Sequence, residues 1–244
     1  MDMFDPNFPD RFELFTPIHI VTMILIAILW IAIPWAFRGK KDTRQDVLFR
    51  YLLAALLVAQ YVGWMVWEAV TGRFTVQTSL PLNLCDISNF LVAILLVTTN
   101  YRWFEVLYFW ALAGTIQSYI TPNITFAFPH IEYIVFYIQH GGEILAILYL
   151  VFVTGLRPRP ISMLKSYGLI LMFVVLVYLF NLATGANYMF LMADTPQPST
   201  VSKMIALFGE PPRHVLGLGL VSLASLFILY VPWFIVDLAK RKRS

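Results

Sequence analysis

Leu80-Pro81-Leu82-Asn83-Leu84-Cys85-Asp86-Ile87-Ser88-Asn89 opens an apolar run, 80–98, long enough to cross a bilayer as a helix. The run nevertheless carries the chain's one cysteine, a carboxylate beside it and two asparagines. An Asp at the centre of a membrane helix costs roughly 2.5–3.5 kcal/mol on insertion scales. A segment that keeps such groups at membrane depth has something for them to face. The reading of this stretch decides whether the chain is a plain bundle of lipid-facing helices or a bundle built around a polar site.

The rest of the chain supplies the bundle. Of the 244 residues, 59% are hydrophobic and only 13% charged, and mean hydropathy is +0.74. A soluble domain carries about a quarter charged residues, so this composition excludes a soluble core and points to a polytopic membrane protein. The net charge of +3 is no nucleic-acid footprint, because the basic residues sit in short clusters between apolar runs. A single cysteine excludes an internal disulfide. Residues 1–16 hold Asp2, Asp5, Asp10 and Glu13 against one Arg11, the opposite of a signal peptide's basic leader.

Seven runs approach the ~20 residues that a spanning helix needs: 17–37, 49–70, 80–98, 103–121, 131–154, 164–185 and 214–236. If the N-terminus lies outside, thirteen Lys and Arg fall on the inner side and four (Arg11, Arg73, Lys203, Arg213) on the outer. The inner set includes Arg38 to Arg50, Arg157, Arg159 and the tail Lys240-Arg241-Lys242-Arg243. This positive-inside bias gives an all-α fold: one domain of seven transmembrane helices, N-terminus outside, C-terminus cytoplasmic. Residues 1–16 form an outer tail, 186–212 an outer loop long enough to fold over that face as a lid, and 237–244 a basic inner tail. Trp35, Trp67, Trp103 and Trp233 fall near the expected interfaces. No internal repeat is visible, which weighs against many secondary-transporter folds. The expected location is a cell membrane, the plasma membrane if the source is bacterial.

At ~100° per residue, Cys85, Asp86 and Asn89 share one helical face about 100° wide. In the fifth run Gln139, His140 and Glu143 occupy about a quarter of the circumference, with Glu132 two turns earlier in line with them. Gly141-Gly142 follow directly and let a helix or a ligand approach the backbone. The fourth run ends in Gly114-Thr115-Ile116-Gln117-Ser118. Three helices thus bring polar groups to comparable depth, which predicts a shared cavity. Taken singly, each residue has a structural reading: Cys85 as a small buried hydrophobe, His140 as interhelical glue, Asn83 and Asn89 as caps. His19, His130 and His214 fit structural roles. It is the convergence that argues for a site.

A thiol nucleophile needs a base, most often a histidine held by a third polar group. Cys85 and His140 fit those roles, with Asp86 or Glu143 as orienting groups and Asn83, Asn89 or Gln117 as hydrogen-bond donors to an oxyanion. No metal and no cofactor are expected, since the chain lacks His-x-x-x-His, Cys-x-x-Cys or a carboxylate-rich ligand set. A retinal protein would need a lysine in the last helix, and 214–236 contains none.

Leu80-Pro81-Leu82-Asn83-Leu84-Cys85-Asp86, Leu112-Ala113-Gly114-Thr115-Ile116-Gln117, Thr121-Pro122, His140-Gly141-Gly142 and Asn187-Tyr188, in that order, resemble the YwaF-like family of bacterial integral membrane proteins. That family is related to the eukaryotic transmembrane protein one-six-four, a cysteine-dependent acyltransferase acting on ether phospholipids. The resemblance runs from about residue 80 to the seventh helix; the first two helices match in hydropathy only. It implies that Cys85 stands where the family nucleophile does and His140 where its histidine does. The expected function is then a membrane acyltransferase, or with water as acceptor a lipid hydrolase, whose partner is a membrane phospholipid or lysophospholipid. The alternatives are a transporter or small-molecule binding protein using Asp86, Glu143 and His140 in a polar cavity, and a non-catalytic patch that glues helices.

Overall fold

The computed structural model describes residues 2–192, 207–209 and 213–241. Among them are seven long helices: α1 (Pro17–Ala36), α2 (Arg44–Val70), α3 (Leu84–Thr98), α4 (Tyr101–Ile120), α5 (Ile131–Phe152), α6 (Pro160–Thr184) and α7 (Arg213–Arg241). A 3-10 turn, Tyr188–Phe190, follows α6, and one isolated bridge pairs Arg11 with Phe126. The chain is therefore all-helical. Five helices, α1, α2, α5, α6 and α7, are long and apolar enough to cross a membrane. Much of the lid expected over 186–212 lies outside the described residues.

Helix starts follow from local chemistry. Thr16, Thr43 and Asn100 cap α1, α2 and α4 with side-chain acceptors. Pro17 and Pro160 occupy first-turn positions of α1 and α6, where a missing N–H does no harm. The third helix starts later than the apolar run suggests. Leu80 precedes a proline and is biased to extended backbone. Asn83 stays extended at φ −77°, ψ 153°, so the helix begins at Leu84. α3 is then 15 residues, about 22 Å, shorter than the ~30 Å hydrocarbon layer.

α5 is the centre of the bundle and packs against α1, α2, α3 and α4; α4 carries α6 and α7 on its other side. Large apolar side chains of α1, α6 and α7 stay exposed, including Ile31 at 75%, Met172 at 57% and Leu216 at 75%. A surface of that kind belongs in hydrocarbon rather than water. Polar clasps tie the helices together. In α2, Arg50 pairs with Asp46 at 3.2 Å and donates to the Leu96 carbonyl of α3, while the Tyr149 hydroxyl of α5 donates to Asp46. Arg50 is thus a buried bundle residue, not a loop charge. Glu105 of α4 accepts from Ser162 and Lys165 of α6, and Arg157 pairs with Asp237 of α7.

The N-terminal segment is an ordered cap rather than a loose tail. Phe8 is buried, the Phe12 N–H donates to the Thr125 carbonyl, and the Ala127 N–H to that of Asp10. Trp67, expected to face the membrane interface, instead sits under this cap and donates its indole N–H to the Phe4 carbonyl.

Candidate functional site

Cys85 is in the first turn of α3 and half-buried as a residue. The Asp86 and Ile87 N–H groups both turn to the Asn83 carbonyl, whereas the N–H groups of Leu84 and Cys85 have no carbonyl within the helix to receive them. The same chain start that shortens α3 therefore leaves backbone donors beside the thiol. Asn83 does not cap the helix with its side chain. Its amide donates to Asp86 Oδ2 at 2.9 Å and its carbonyl oxygen accepts the Met189 N–H at 3.1 Å.

Asp86 is the hub. Its Oδ1 accepts from the Cys85 thiol at 3.7 Å and from Gln139 Nε2 of α5 at 3.1 Å, while Oδ2 takes the Asn83 amide. One turn further along α3, the Ser88 hydroxyl donates to Glu143 Oε2 of α5 at 2.5 Å. Glu143 is fully buried, and its Oε1 has no hydrogen-bond partner. The α3–α5 seam is thus a run of polar contacts.

His140 is 4% exposed and stacks on Phe136, with ring centroids 3.9 Å apart. Its Nδ1 lies 2.9 Å from the Phe136 carbonyl. A carbonyl only accepts, so Nδ1 carries the proton of the neutral ring and Nε2 keeps the lone pair. By helical geometry His140 lies about 60° further round α5 than Glu143. Among the described residues no hydrogen bond joins Cys85 to His140. The contact that crosses between their helices runs from the residue after Cys85 to the residue before His140.

Two expected oxyanion donors sit elsewhere. The Asn89 amide donates to the Leu57 carbonyl of α2 and its oxygen accepts from Gln60, because this side of α3 is the α2 interface. The exposed Gln117 amide donates to Thr121 one turn on. Gly141 and Gly142 serve helix packing. A Cβ on Gly141 would come within 2.8 Å of Ile26 in α1, and one on Gly142 within 2.8 Å of Leu57 in α2. Glu132 receives the Thr125 and Phe126 N–H groups and anchors the loop before α5.

Ser88, three residues after Cys85, escaped notice because a serine in a membrane helix commonly satisfies its own backbone; its i+3 spacing from Cys85 was the available signal. The Asn187-Tyr188 pair closes over the start of α3. The Tyr188 hydroxyl accepts the Leu80 N–H and donates to the Val76 carbonyl, and Asn181 holds the Tyr188 backbone from both sides. The non-helical residues before α3 thus gain hydrogen-bond partners that a membrane would not supply.

Among the described residues no cluster of three His, Cys, Asp or Glu is arranged to hold a metal. Neither a curated protein nor a solved structure matches the chain. The model of the TMEM164 family matches residues 14–230. The match begins before α1 and so takes in the first two helices, which motifs alone leave out. Covering α1 to α6, the start of α7 and every polar contact of the α3–α5 seam, it shows that the chain belongs to the TMEM164 family.

Proposed function

We propose that the protein is a membrane acyltransferase that carries an acyl chain on Cys85, taking it from a phospholipid and passing it to a lysophospholipid hydroxyl. The observation that carries this reading is the thiol of half-buried Cys85 in the first turn of α3, already hydrogen-bonded to a carboxylate that α5 helps to hold. In the first half-reaction Cys85 Sγ attacks the ester carbonyl and its proton passes to Asp86. The Leu84 and Cys85 N–H groups, at a helix N-terminus, meet the oxyanion. Collapse breaks the ester C–O bond, and the departing alkoxide recovers the proton from Asp86. In the second half the acceptor hydroxyl gives its proton to His140 Nε2 and attacks the thioester. Thiolate leaves and is reprotonated by the imidazolium. Water in place of the acceptor makes the same site a lipid hydrolase. The family match, with the bacterial YwaF-like resemblance of the motifs, supports a lipid-facing cysteine enzyme of a bacterial plasma membrane.

The topology that fits this reading has seven spans with the N-terminus outside, supported by the distribution of thirteen basic residues against four. In it the ~22 Å of α3 is continued on the outer side by the non-helical residues 80–83, which turn at Pro81 through the Leu82 N–H to Leu80 carbonyl bond. Cys85 then lies toward the outer leaflet.

The test is acyl-enzyme formation on protein reconstituted with a phospholipid carrying a labelled acyl chain. Wild type is expected to form a hydroxylamine-sensitive adduct that Cys85→Ala lacks. Asp86→Asn slows its formation by about 10²-fold or more. His140→Ala forms it but fails to hand it on. Label that survives Cys85→Ala sinks the proposal. The buried, unpartnered carboxylate oxygens of Glu143 and Glu68 favour one competing reading, a transporter or small-molecule binding cavity. Substrate flux that survives Cys85→Ala and stops in Asp86→Asn would decide for it.

A further inference from the structure

A cavity lies on the face of α5 opposite the polar seam. It is a groove of about 310 Å³ between α1, α2 and α5, walled by Ile26, Trp30, Leu56, Ile134, Ile138 and Gly141. Its volume is at the lower end of the ~300–1,000 Å³ of small-ligand sites, room for one chain rather than a whole lipid. The wall is apolar, and at its rim Leu29 and Leu56 are 47% and 46% exposed. In a chain with five apolar helices long enough to span, that rim opens toward hydrocarbon.

The polar atoms along this groove are satisfied by one another, with one exception. The Tyr133 hydroxyl donates to Thr22 at 3.0 Å, and the Trp30 indole N–H to the Gly141 carbonyl at 2.8 Å. The Tyr137 hydroxyl, on a side chain 3% exposed that lines the groove, has no partner. Beside it, 6.0 Å ring to ring, stands fully buried His19. The Phe15 N–H donates to His19 Nδ1 at 2.9 Å, which puts the proton of the neutral ring on Nε2, and Nε2 has no partner either. One orphan donor on the wall of an apolar groove, with a second on the residue beside it, suits an acceptor that brings no proton of its own. An unmade buried hydrogen bond is costly, so these donors mark where a ligand's polar end belongs.

We infer that this groove binds one acyl chain of a bilayer phospholipid, with the Tyr137 hydroxyl hydrogen-bonded to the chain's ester carbonyl. The inference is independent of the thioester chemistry, because the groove faces away from Cys85 and His140 across α5.

The experiment reconstitutes the full chain in phosphatidylcholine vesicles containing a trace of phosphatidylcholine with a diazirine on one acyl chain. Adducts are mapped by mass spectrometry after irradiation, with the exposed face of α6 (Leu171, Val175, Leu179) as the measure of bulk lipid contact. Adducts are expected to concentrate on residues 22–30 and 134–142. Leu56→Trp, at an exposed rim position, fills the groove and brings them down to the α6 level. Tyr137→Phe weakens labelling by the ester-linked probe by about fivefold, the worth of one hydrogen bond, and leaves an ether-linked analogue unaffected. Cys85→Ala labels the groove like wild type, so loss of the catalytic reading would not remove this one. Adducts spread evenly over α1, α5 and α6, or unchanged by Leu56→Trp, overturn the proposal. So does equal weakening of both probes by Tyr137→Phe. Selective displacement of the probe by free fatty acid, but not by unlabelled phosphatidylcholine, overturns the assigned ligand.

Discussion

The two faces of α5 are built on opposite principles. Toward α3 it presents Gln139 and Glu143, which meet Asp86 and Ser88 through hydrogen bonds of 3.1 and 2.5 Å. Toward α1 and α2 it presents Gly141 and Gly142, which meet Ile26 and Leu57 chiefly through close packing, with two hydrogen bonds to α1, Trp30 to the Gly141 carbonyl and Tyr133 to Thr22, beside them. Within a membrane the lipid competes poorly for the first kind of contact and well for the second, so each face is fixed by what the bilayer cannot replace: donors and acceptors on one, shape on the other. The polar face holds reactive groups in a defined order. The small-residue face sets how near the neighbouring helices can come, and where they part, the groove remains.

The comparison breaks most sharply at Ser88. The Ser88 hydroxyl is the hydrogen-bond donor to buried Glu143, whose other oxygen has no partner. Ser88→Ala removes the donor to Glu143 Oε2 and is expected to destabilise the protein by about 1–3 kcal/mol. Glu143→Leu in the same background should recover most of that, since removing both partners removes the unsatisfied group. Thermal unfolding of the two single variants and the double variant in one detergent measures it. Additive losses would show that the seam is held by packing, like the other face.

The opposite face predicts a smaller effect with a ranking inside it. Gly141→Ala places a Cβ 2.8 Å from Ile26 Cγ2, which is fixed to a β-branched carbon. Overpacking of that kind costs about 1–3 kcal/mol, against about 1 kcal/mol gained in helix propensity. A net loss of about 1 kcal/mol is expected. Gly142→Ala meets Leu57 Cδ2 at the same distance, but that atom ends a flexible side chain and can swing aside; its net effect is near zero. The two melting temperatures, with Ile26→Ala as the relieving change for Gly141→Ala, test the order. Equal effects would mean that the helices adjust as bodies rather than atom by atom.

What the sequence made legible follows the same division. Helices could be read because apolar length is a property of each run alone, and the polar depth of Cys85, Asp86, Gln139 and Glu143 because helical spacing carries it. Partner choice could not be read. Asn89 shares a wheel face with Cys85, yet 40° to 60° of rotation is enough to turn it to α2. The apolar run also reads as helical from residue 80, when the chain turns at Pro81 and stays extended at Asn83, which places the α3 N-terminus beside the thiol. Contacts that cross long stretches, such as Asn83 with Met189, 106 residues away, have no local signature. The N-terminal cap was hidden for another reason: its acidic residues look like a solvated tail, and what holds it is backbone, the Asp10, Thr125 and Phe4 carbonyls.

The smallest expected effect lies where both faces of α5 begin. His130 caps the helix: its Nδ1 accepts the Glu132 N–H at 3.1 Å, and Nε2 donates to the Asp5 carbonyl at 3.2 Å. The ring is fully buried among Phe8, Trp67 and Phe126. Burial holds its pKa below the usual 6.5, with the nearby Arg73 charge adding to this and the Asp5 carbonyl opposing it. The direction has a clear atomic cause. A second proton would go to Nδ1, which would then face a backbone N–H instead of accepting from it, and a positive charge would sit at a helix N-terminus. Because the folded protein resists the proton and the unfolded chain does not, the unfolded state binds more protons once pH falls below about 6.5. Stability is therefore flat above that pH and declines as pH drops from there toward the folded-state pKa. His130→Asn keeps a side-chain acceptor for the cap and removes the titration. Its melting temperature should lose the part of the slope between pH 7 and 5 that wild type shows. An unchanged slope would show that the acid sensitivity is set outside this cap.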